Sequence, residues 1–513
     1  MKRLPILCFL FFGFLFRVCV VAASSARPFR VSPPLFAMRG GSSSKTKQNQ
    51  DSYRLLALAI QNRLPEDEAV DVDKLTKILS SLASAQMALK GLDGAAHEAY
   101  ARTHDEASLD TKVSGRARRS AARAGCAADG LLAAELCELL ERPNLLESNS
   151  ETGPLVKREI LVNATSVKMK KDSNVTVLVL YEPGYNSGAG LDHGGIEDLA
   201  GSSVGSKTCG RLLVIVGDSL AMDLPKTCAI LDTIPVEVEL HAGLVANEIA
   251  SVQGTLYRTA GRLLRELEPT LRKYNQTAVH FVGRSLAGGV AALAAAIFDG
   301  TLPMPPDART KHNKMRRKPV MEEIDEGPTK NETRGQELEG LGRGRSSAVV
   351  LGAPPCLSAN VKAAFVKSIM YGDDVVCRTT AESLDRLYSR VNRNVKGGII
   401  GRQMGWMTDT VSLTMLSLKT HAHGSEGEEA RLVVPGQAFL VRPRRLGGVC
   451  SMHEVGSSKG GREALRAAVL WQLHDVLLSK SMWKHHQLES YIHGLDRVQL
   501  RGFDDKSKVE EIY

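Results

Sequence analysis

Phe281-Val282-Gly283-Arg284-Ser285-Leu286-Ala287-Gly288-Gly289 is the stretch on which the reading of this chain turns. Val279-His280-Phe281-Val282 is a short apolar run, and Ala291–Phe298 is a run of small and apolar residues. The order is therefore strand, tight glycine turn, serine, helix. A serine on a sharp strand-to-helix turn has its hydroxyl presented clear of the backbone. Small neighbours let the turn close and let the next helix pack near. The helix start then offers free N–H groups to a developing oxyanion. The plain alternative is an ordinary glycine turn, and Gly-x-Ser-x-Ala alone is a weak signal. The strand before it and the helix after it are what strengthen it.

Working outward, Val175-Thr176-Val177-Leu178-Val179-Leu180 reads as a strand that ends at Glu182-Pro183-Gly184. Leu212-Leu213-Val214-Ile215-Val216 is apolar throughout, as in a strand buried on both faces. Residues 249–267 read as a helix, with Ile249, Val252, Leu256, Leu263, Leu264 and Leu267 on one face. Ala348-Val349-Val350-Leu351 is a further strand. Strands alternating with helices predict an α/β fold with a mostly parallel sheet flanked by helices. Residues 301–347 interrupt the pattern with prolines, glycines and runs of charge, and read as a disordered surface insertion; 419–430 look like a smaller one. Residues 51–150 read as a helical N-terminal region, a cap or partner surface, with apolar groups at helical spacing in 55–60, 75–82 and 127–141.

The chain has 513 residues and a formal net charge of +9. Eight basic residues and no acid precede Asp51, which leaves the remainder near +1. That argues against a nucleic-acid binder with a basic face. Hydrophobic residues make up 43%, enough for a sizeable core. Residues 1–26 read as a signal peptide: Lys2 and Arg3, an apolar run to Phe16, then small residues with cleavage after Ala23 or Ala26. Arg17 interrupts the run short of the roughly 20 residues a spanning helix needs, so no transmembrane helix is expected after cleavage. Arg27–Gln50 has a transit-like, disordered composition. The pair resembles the two-part plastid leaders of algae with complex plastids; the alternative is a secreted or endomembrane protein. Seven cysteines outside the leader are scattered, with no Cys-x-x-Cys pair, so neither a metal site nor a disulfide framework is indicated. No phosphate loop or nicotinamide fingerprint occurs, and no cofactor is expected.

The serine segment resembles the class 3, or fungal-type, lipases, and among them the diacylglycerol lipases. The usual motif there is Gly-His-Ser-Leu-Gly-Gly; this chain has Arg284 for His and Ala287 for Gly. Val216-Gly217-Asp218, with Asp223 beyond, resembles the family's Arg-Gly-Thr loop and trailing aspartate. Gly352-Ala353-Pro354-Pro355 resembles the strand end before the acid. Gly372-Asp373-Asp374-Val375-Val376-Cys377-Arg378 resembles Asp-x-Val-Pro-Arg, with Cys377 for proline. Met482-Trp483-Lys484-His485-His486, then Tyr491, resembles the histidine segment. The match spans roughly 155–500. It implies an α/β-hydrolase fold and a Ser-Asp-His series of Ser285, Asp374 and His486, with Leu286 and Asp218 as oxyanion donors. It implies a carboxylic ester hydrolase acting on acylglycerols at a lipid–water interface. An ionised Asp218 would repel the oxyanion, so that donor is either protonated or serves through its N–H alone.

Alternatives stay open at several points. Asp373 stands beside Asp374, and His485, His493 and His453 rival His486. Gly217-Asp218-Ser219-Leu220 spells the signature of the GDSL hydrolases, but the Gly-x-Asn-Asp and Asp-x-x-His blocks of that family do not occur. Leu220–Ile234 reads equally as an apolar lid or as a buried amphipathic helix. A galactolipid or phospholipid acyl hydrolase is the runner-up activity, and a catalytically impaired lipid-binding pseudoenzyme is the reading from another class.

Overall fold

The structure is a computed structural model. It describes residues 42–63, 70–84, 86, 113–141, 158–170, 173–183, 210–218, 223–240, 248–306, 341–361, 363–396, 431–443, 450–455 and 475–498. The chain forms two compact units, Met1–Lys47 and Gln48–Tyr513. Of the first, only the opening of helix α1 (Ser42–Gln61) is described. The signal-peptide reading of 1–26 lies outside the described residues. So does most of the transit-like segment, although α1 begins inside it.

The body of the second unit is an eight-stranded sheet in the order β1-β2-β3-β6-β7-β9-β11-β12. Its strands are β1 (Glu159–Lys170), β2 (Ser173–Glu182), β3 (Arg211–Asp218), β6 (Ala278–Arg284), β7 (Ser346–Leu351), β9 (Val366–Tyr371), β11 (Gln437–Pro443) and β12 (Cys450–Val455). The five central strands, β3, β6, β7, β9 and β11, run parallel. The edges are antiparallel, β1 on β2, β2 on β3 and β12 on β11. The sheet is therefore mixed, with the expected parallel pairing confined to its centre. Residues 171 and 172 alone join β1 to β2, and so short a link permits only an antiparallel hairpin.

Helices cover both faces. One face carries Val177, Val214, Val216, Phe281 and Val350. They pack with α3 (Leu224–Leu231), α4 (Gly254–Lys273), α5 (Ser285–Asp299) and α6 (Ala381–Lys396), and with Leu56 of α1 and Leu75 and Leu79 of helical residues 72–84. The alternate strand residues, Leu178, Leu213, Ile215, Val282 and Leu351, face the other way. They pack under α2 (Val113–Glu141), through Leu136 and Leu139, and α7 (Leu488–Asp496). The N-terminal helical region thus supplies packing to both faces of the sheet instead of standing apart as a cap. Helix α5 is buried from Ser285 to Phe298, which explains its alanine and glycine content: a helix enclosed on every side keeps small groups where neighbours come close.

One expectation differs from the structure. Residues 249–267 are not one helix. Glu248–Val252 is β5, paired with β4 (Val236–Leu240) in a second, four-stranded sheet completed by β8 (Leu357–Ser358) and β10 (Leu432–Val433). Helix α4 starts only at Gly254, where the Gln253 side chain accepts the Leu256 N–H at 2.7 Å. Ile249 and Val252 sit at a spacing that fits a helix face, yet Ile249 is 56% exposed on the strand. Of the two readings of the segment after β3, the buried helix holds over Leu224–Leu231. Leu224, Ile230 and Leu231 of α3 are buried in the core, and Asp223 caps its first turn; residues 219–222 lie outside the described residues.

The 301–347 insertion is also narrower than read. Leu302 is fully buried, the Tyr257 hydroxyl donates to Pro303 O, and Arg345 donates to Thr277 O at 3.0 Å. Only 307–340 lies outside the described residues. Deleting 307–340 is expected to leave the melting temperature within a few degrees. Deleting 301–346 is expected to lower stability by about 2–4 kcal/mol through loss of Leu302 and the Arg345 contacts. Thermal melts of the two deletions check this.

His280, on β6, has Nδ1 2.8 Å from the Ser347 hydroxyl. Burial, with the Arg211 charge nearby, pulls its pKa from 6.5 down to about 4. The folded imidazole is thus neutral where the unfolded one takes up a proton. Its contribution is complete above pH 6.5 and is lost as the pH falls toward 4. His280→Gln should flatten the fall in melting temperature across that window; an unchanged slope would contradict it.

Candidate active site

Strand β6 ends with Arg284 in extended backbone, and Ser285 turns to φ 59° as the first residue of α5. Among the described residues Ser285 is the one non-glycine with positive φ, a conformation that costs on the order of 1–3 kcal/mol and persists only where packing enforces it. The neighbours explain how. A Cβ on Gly283 would stand 2.7 Å from the Ala287 carbonyl oxygen, and one on Gly288 would stand 3.1 Å from Gly283 O. The turn therefore needs glycine at 283, and at 288 a methyl would fit only if its neighbours gave way by a few tenths of an ångström. Ala287, where the lipases carry glycine, fits with its methyl fully buried in the core.

His486 arrives on a short 3-10 turn, Lys484–His486, just before α7. Its Nε2 lies 3.1 Å from Ser285 Oγ. Its Nδ1 lies 3.0 Å from both carboxylate oxygens of Asp374. All three residues are fully buried. The Trp483 ring stacks on the His486 ring, centroids 5.2 Å apart and planes 27° apart. With Nδ1 bonded to an acceptor-only carboxylate, the neutral imidazole carries its proton there and turns the Nε2 lone pair to the serine.

Asp374 follows β9. Burial pushes its carboxyl up, but the His486 charge and hydrogen bond, the Tyr491 hydroxyl and the Val376 N–H together hold it below the usual carboxylate range. The Val376 N–H donates at 2.9 Å and Tyr491 donates its hydroxyl to Oδ2. Arg378, itself fully buried, donates to the carbonyls of Asp374 and Gly372 and so ties down the turn that carries the acid. Cys377, in place of the family's proline, has its sulfur 3.9 Å from the Tyr491 hydroxyl, and burial pushes its thiol well up.

The rivals are placed as well. The Asp373 N–H donates to His485 Nδ1 at 2.9 Å, and the His485 ring meets Tyr371 edge to face. His485 thus braces the acid's turn from the side away from Ser285. His493 is an exposed residue of α7, and His453 stands opposite Leu440 in the β11–β12 pair. Leu286 is the second residue of α5, so its N–H belongs to the first turn, where no intrahelical acceptor exists. Asp218 ends β3 beside the elbow, since Val216 pairs with Gly283 across the two strands. Ser219 lies outside the described residues.

Arg284 has a place that the sequence did not reveal. It is 3% exposed. Its Nε and Nη2 lie 2.9 and 2.6 Å from Glu141 Oε1, and its Nη1 donates to the His486 carbonyl at 2.8 Å. Tyr491 was visible only as part of a pattern; its bond to the acid is what gives it meaning. A long polar side chain next to the nucleophile, in an otherwise small-residue turn, is the signal that could have marked Arg284.

Among the described residues no group of His, Cys, Asp and Glu could hold a metal ion, and no helix is long and apolar enough to cross a membrane. Six cysteines are described, all buried free thiols. A cavity of about 830 Å³ is lined by Tyr53, Tyr371, Lys480, Lys484 and His485 among others; Ser285 and His486 do not line it. It sits behind the histidine turn, away from the serine hydroxyl.

The parallel centre of the sheet, the serine on the turn after β6, the acid after β9 and the histidine ahead of α7 make this an α/β-hydrolase fold. No family model matches the chain, and no curated protein does. Among solved structures it is similar to fungal lipases. For the native Rhizomucor miehei lipase propeptide complex the identity is 12%, over 48% of this chain and 61% of that one, with a TM-score of 0.27. The chain thus spans about three fifths of that lipase's length. A triacylglycerol lipase from Penicillium expansum is 12% identical over 70% of this chain and 97% of its own, with a TM-score of 0.30. Lipase II from Rhizopus niveus is 12% identical over 50% and 72%, with a TM-score of 0.25.

Proposed function

We propose that the protein is a serine hydrolase that cleaves carboxylic esters of lipids through an acyl-enzyme. The observation that carries this is the hydrogen-bond chain from Ser285 through His486 to Asp374, buried and set on a strained strand-to-helix turn. Ser285 Oγ attacks the acyl carbonyl as His486 Nε2 takes its proton. Asp374 holds the Nδ1 proton and stabilises the imidazolium. The oxyanion is met by the Leu286 N–H and by the N–H of Asp218. Collapse expels the alcohol with the proton from His486, and water then releases the acid by the same steps in reverse.

Acylglycerols are the proposed substrates, at a lipid–water interface. The full burial of Ser285 and His486 supports an enzyme in which a covering segment must move before an ester enters. The same burial suits the pseudoenzyme reading if nothing moves. Fluorophosphonate labelling separates the two: stoichiometric labelling at Ser285, with hydrolysis of emulsified acylglycerol, supports the enzyme. Absence of labelling in detergent or with lipid present would overturn it.

A further inference from the structure

Arg284 immediately precedes the serine, and its side chain reaches back to the main chain of the histidine. One residue thereby joins both partners of the proton transfer, covalently to Ser285 and by the Nη1–H bond to the His486 carbonyl. On its other side the guanidinium donates from Nε to Glu141, the last residue of α2, with Nη2 in ion-pair contact with the same oxygen. We propose that Arg284 is a positioning residue for the Ser285–His486 pair, oriented by Glu141, so that the N-terminal helix α2 is part of the site's architecture. This rests on the hydrolase reading.

The chemistry favours this over a chance surface pair. A guanidinium is a rigid planar fork whose donors point in fixed directions; here they diverge, some toward a carboxylate and one toward a carbonyl. Arg284 is nearly inaccessible, and a cation taken out of water that far persists only with a partner charge. Glu141 supplies it, and the C-terminal end of α2 adds its own negative partial charge. The turn at His486 is otherwise short: its N–H donates to Trp483 O, and His485 N–H to Ser481 O. A lone three-residue turn that must hold Nε2 3.1 Å from an oxygen on another element needs a tie between the two. Arg284 is that tie. Lysine could keep the charge but has no second arm in a fixed direction.

The test uses the full chain with Arg284→Met, Arg284→Lys, Glu141→Gln and the Met/Gln double variant. Turnover and KM are measured on a short-chain p-nitrophenyl ester. The labelled fraction and labelling rate are measured with a fluorophosphonate, and the His486 Nδ1 proton is followed by NMR at low field. Arg284→Met should retain a full labelled fraction while kcat and labelling rate fall on the order of 10²-fold, the cost of a misplacement of about 1 Å, with KM little changed. Arg284→Lys should fall about tenfold, Glu141→Gln less, and the double variant no further than Arg284→Met, as members of one unit behave. The Nδ1 proton should shift or broaden in the Met variant.

A labelled fraction that drops while the rate per labelled site stays at wild type would make Arg284 merely structural and overturn the proposal. So would variants indistinguishable from wild type. If Arg284→Met does not fold, Arg284→Lys decides: undiminished turnover per labelled site sinks the idea. If the wild-type protein neither labels nor hydrolyses, the hydrolase reading fails. The Nδ1 resonance then still decides the positioning claim, since an unchanged resonance in the Lys variant refutes it.

Discussion

Ser285→Ala is expected to abolish hydrolysis of short acyl esters and all fluorophosphonate labelling, whereas Ser219→Ala should leave a measurable fraction of both. Among the described residues, Ser285 stands within hydrogen-bond reach of an imidazole that is itself held by a buried carboxylate. Removing a nucleophile leaves at most the contribution of binding and the oxyanion donors, so turnover falls by on the order of 10⁴-fold or more. The substitution also removes a buried hydroxyl from a left-handed position, and alanine tolerates that backbone no better than serine does. The melting temperature should therefore stay close to wild type, and the loss should read as chemistry and not as unfolding. Loss of activity in the Ser219 variant alone would reject the assignment.

His486→Ala carries the second large effect, on the order of 10³-fold or more in turnover. The adjacent His485→Ala is expected to act differently. Its ring accepts the N–H of Asp373, one residue from the acid, and packs on Tyr371. Losing it leaves an amide without that acceptor and loosens the turn of Asp374, for about a tenfold cost in turnover and about 1–2 kcal/mol in stability. Parallel kinetics and melts of the two variants check this. If His485→Ala costs more turnover than His486→Ala, the base has been misplaced by one residue.

The centre of the fold was legible because its physics is local. Leu212–Val216 is apolar on both faces, as a strand between two helix layers must be, and the small residues around Ser285 announce a close-packed turn. What was not legible depends on partners far along the chain. Strands β8 and β10 have two residues each and carry no period of their own, so the second sheet was hidden and β5 merged into a helix. Ile249 and Val252 satisfy a helical spacing as well as an extended one. The choice of Asp374 over Asp373 came from the resemblance, and the hydrogen bonds place Asp374 against the histidine. Arg284 read as a departure from a pattern because its partners, Glu141 and His486, lie 143 and 202 residues away.

Helix α2 has a consequence for how the chain must be made. Gly130 sits so close to the sheet and to α7 that a methyl there would stand 2.4 Å from Ile369 and 3.3 Å from Leu495. The surface bearing Ala133, Leu136 and Leu139 is covered by strands and by a helix that the ribosome reaches some 350 residues later. At about 5–20 residues per second, α2 waits roughly 20–70 seconds for its last neighbour. Through that interval its apolar side has no native partner at the C-terminal end, and closing so long a loop is slow in itself. The apolar side of α2 is thus the part of the nascent chain that most needs shielding, and a chain cut before residue 488 lacks the α7 side chains that cover it.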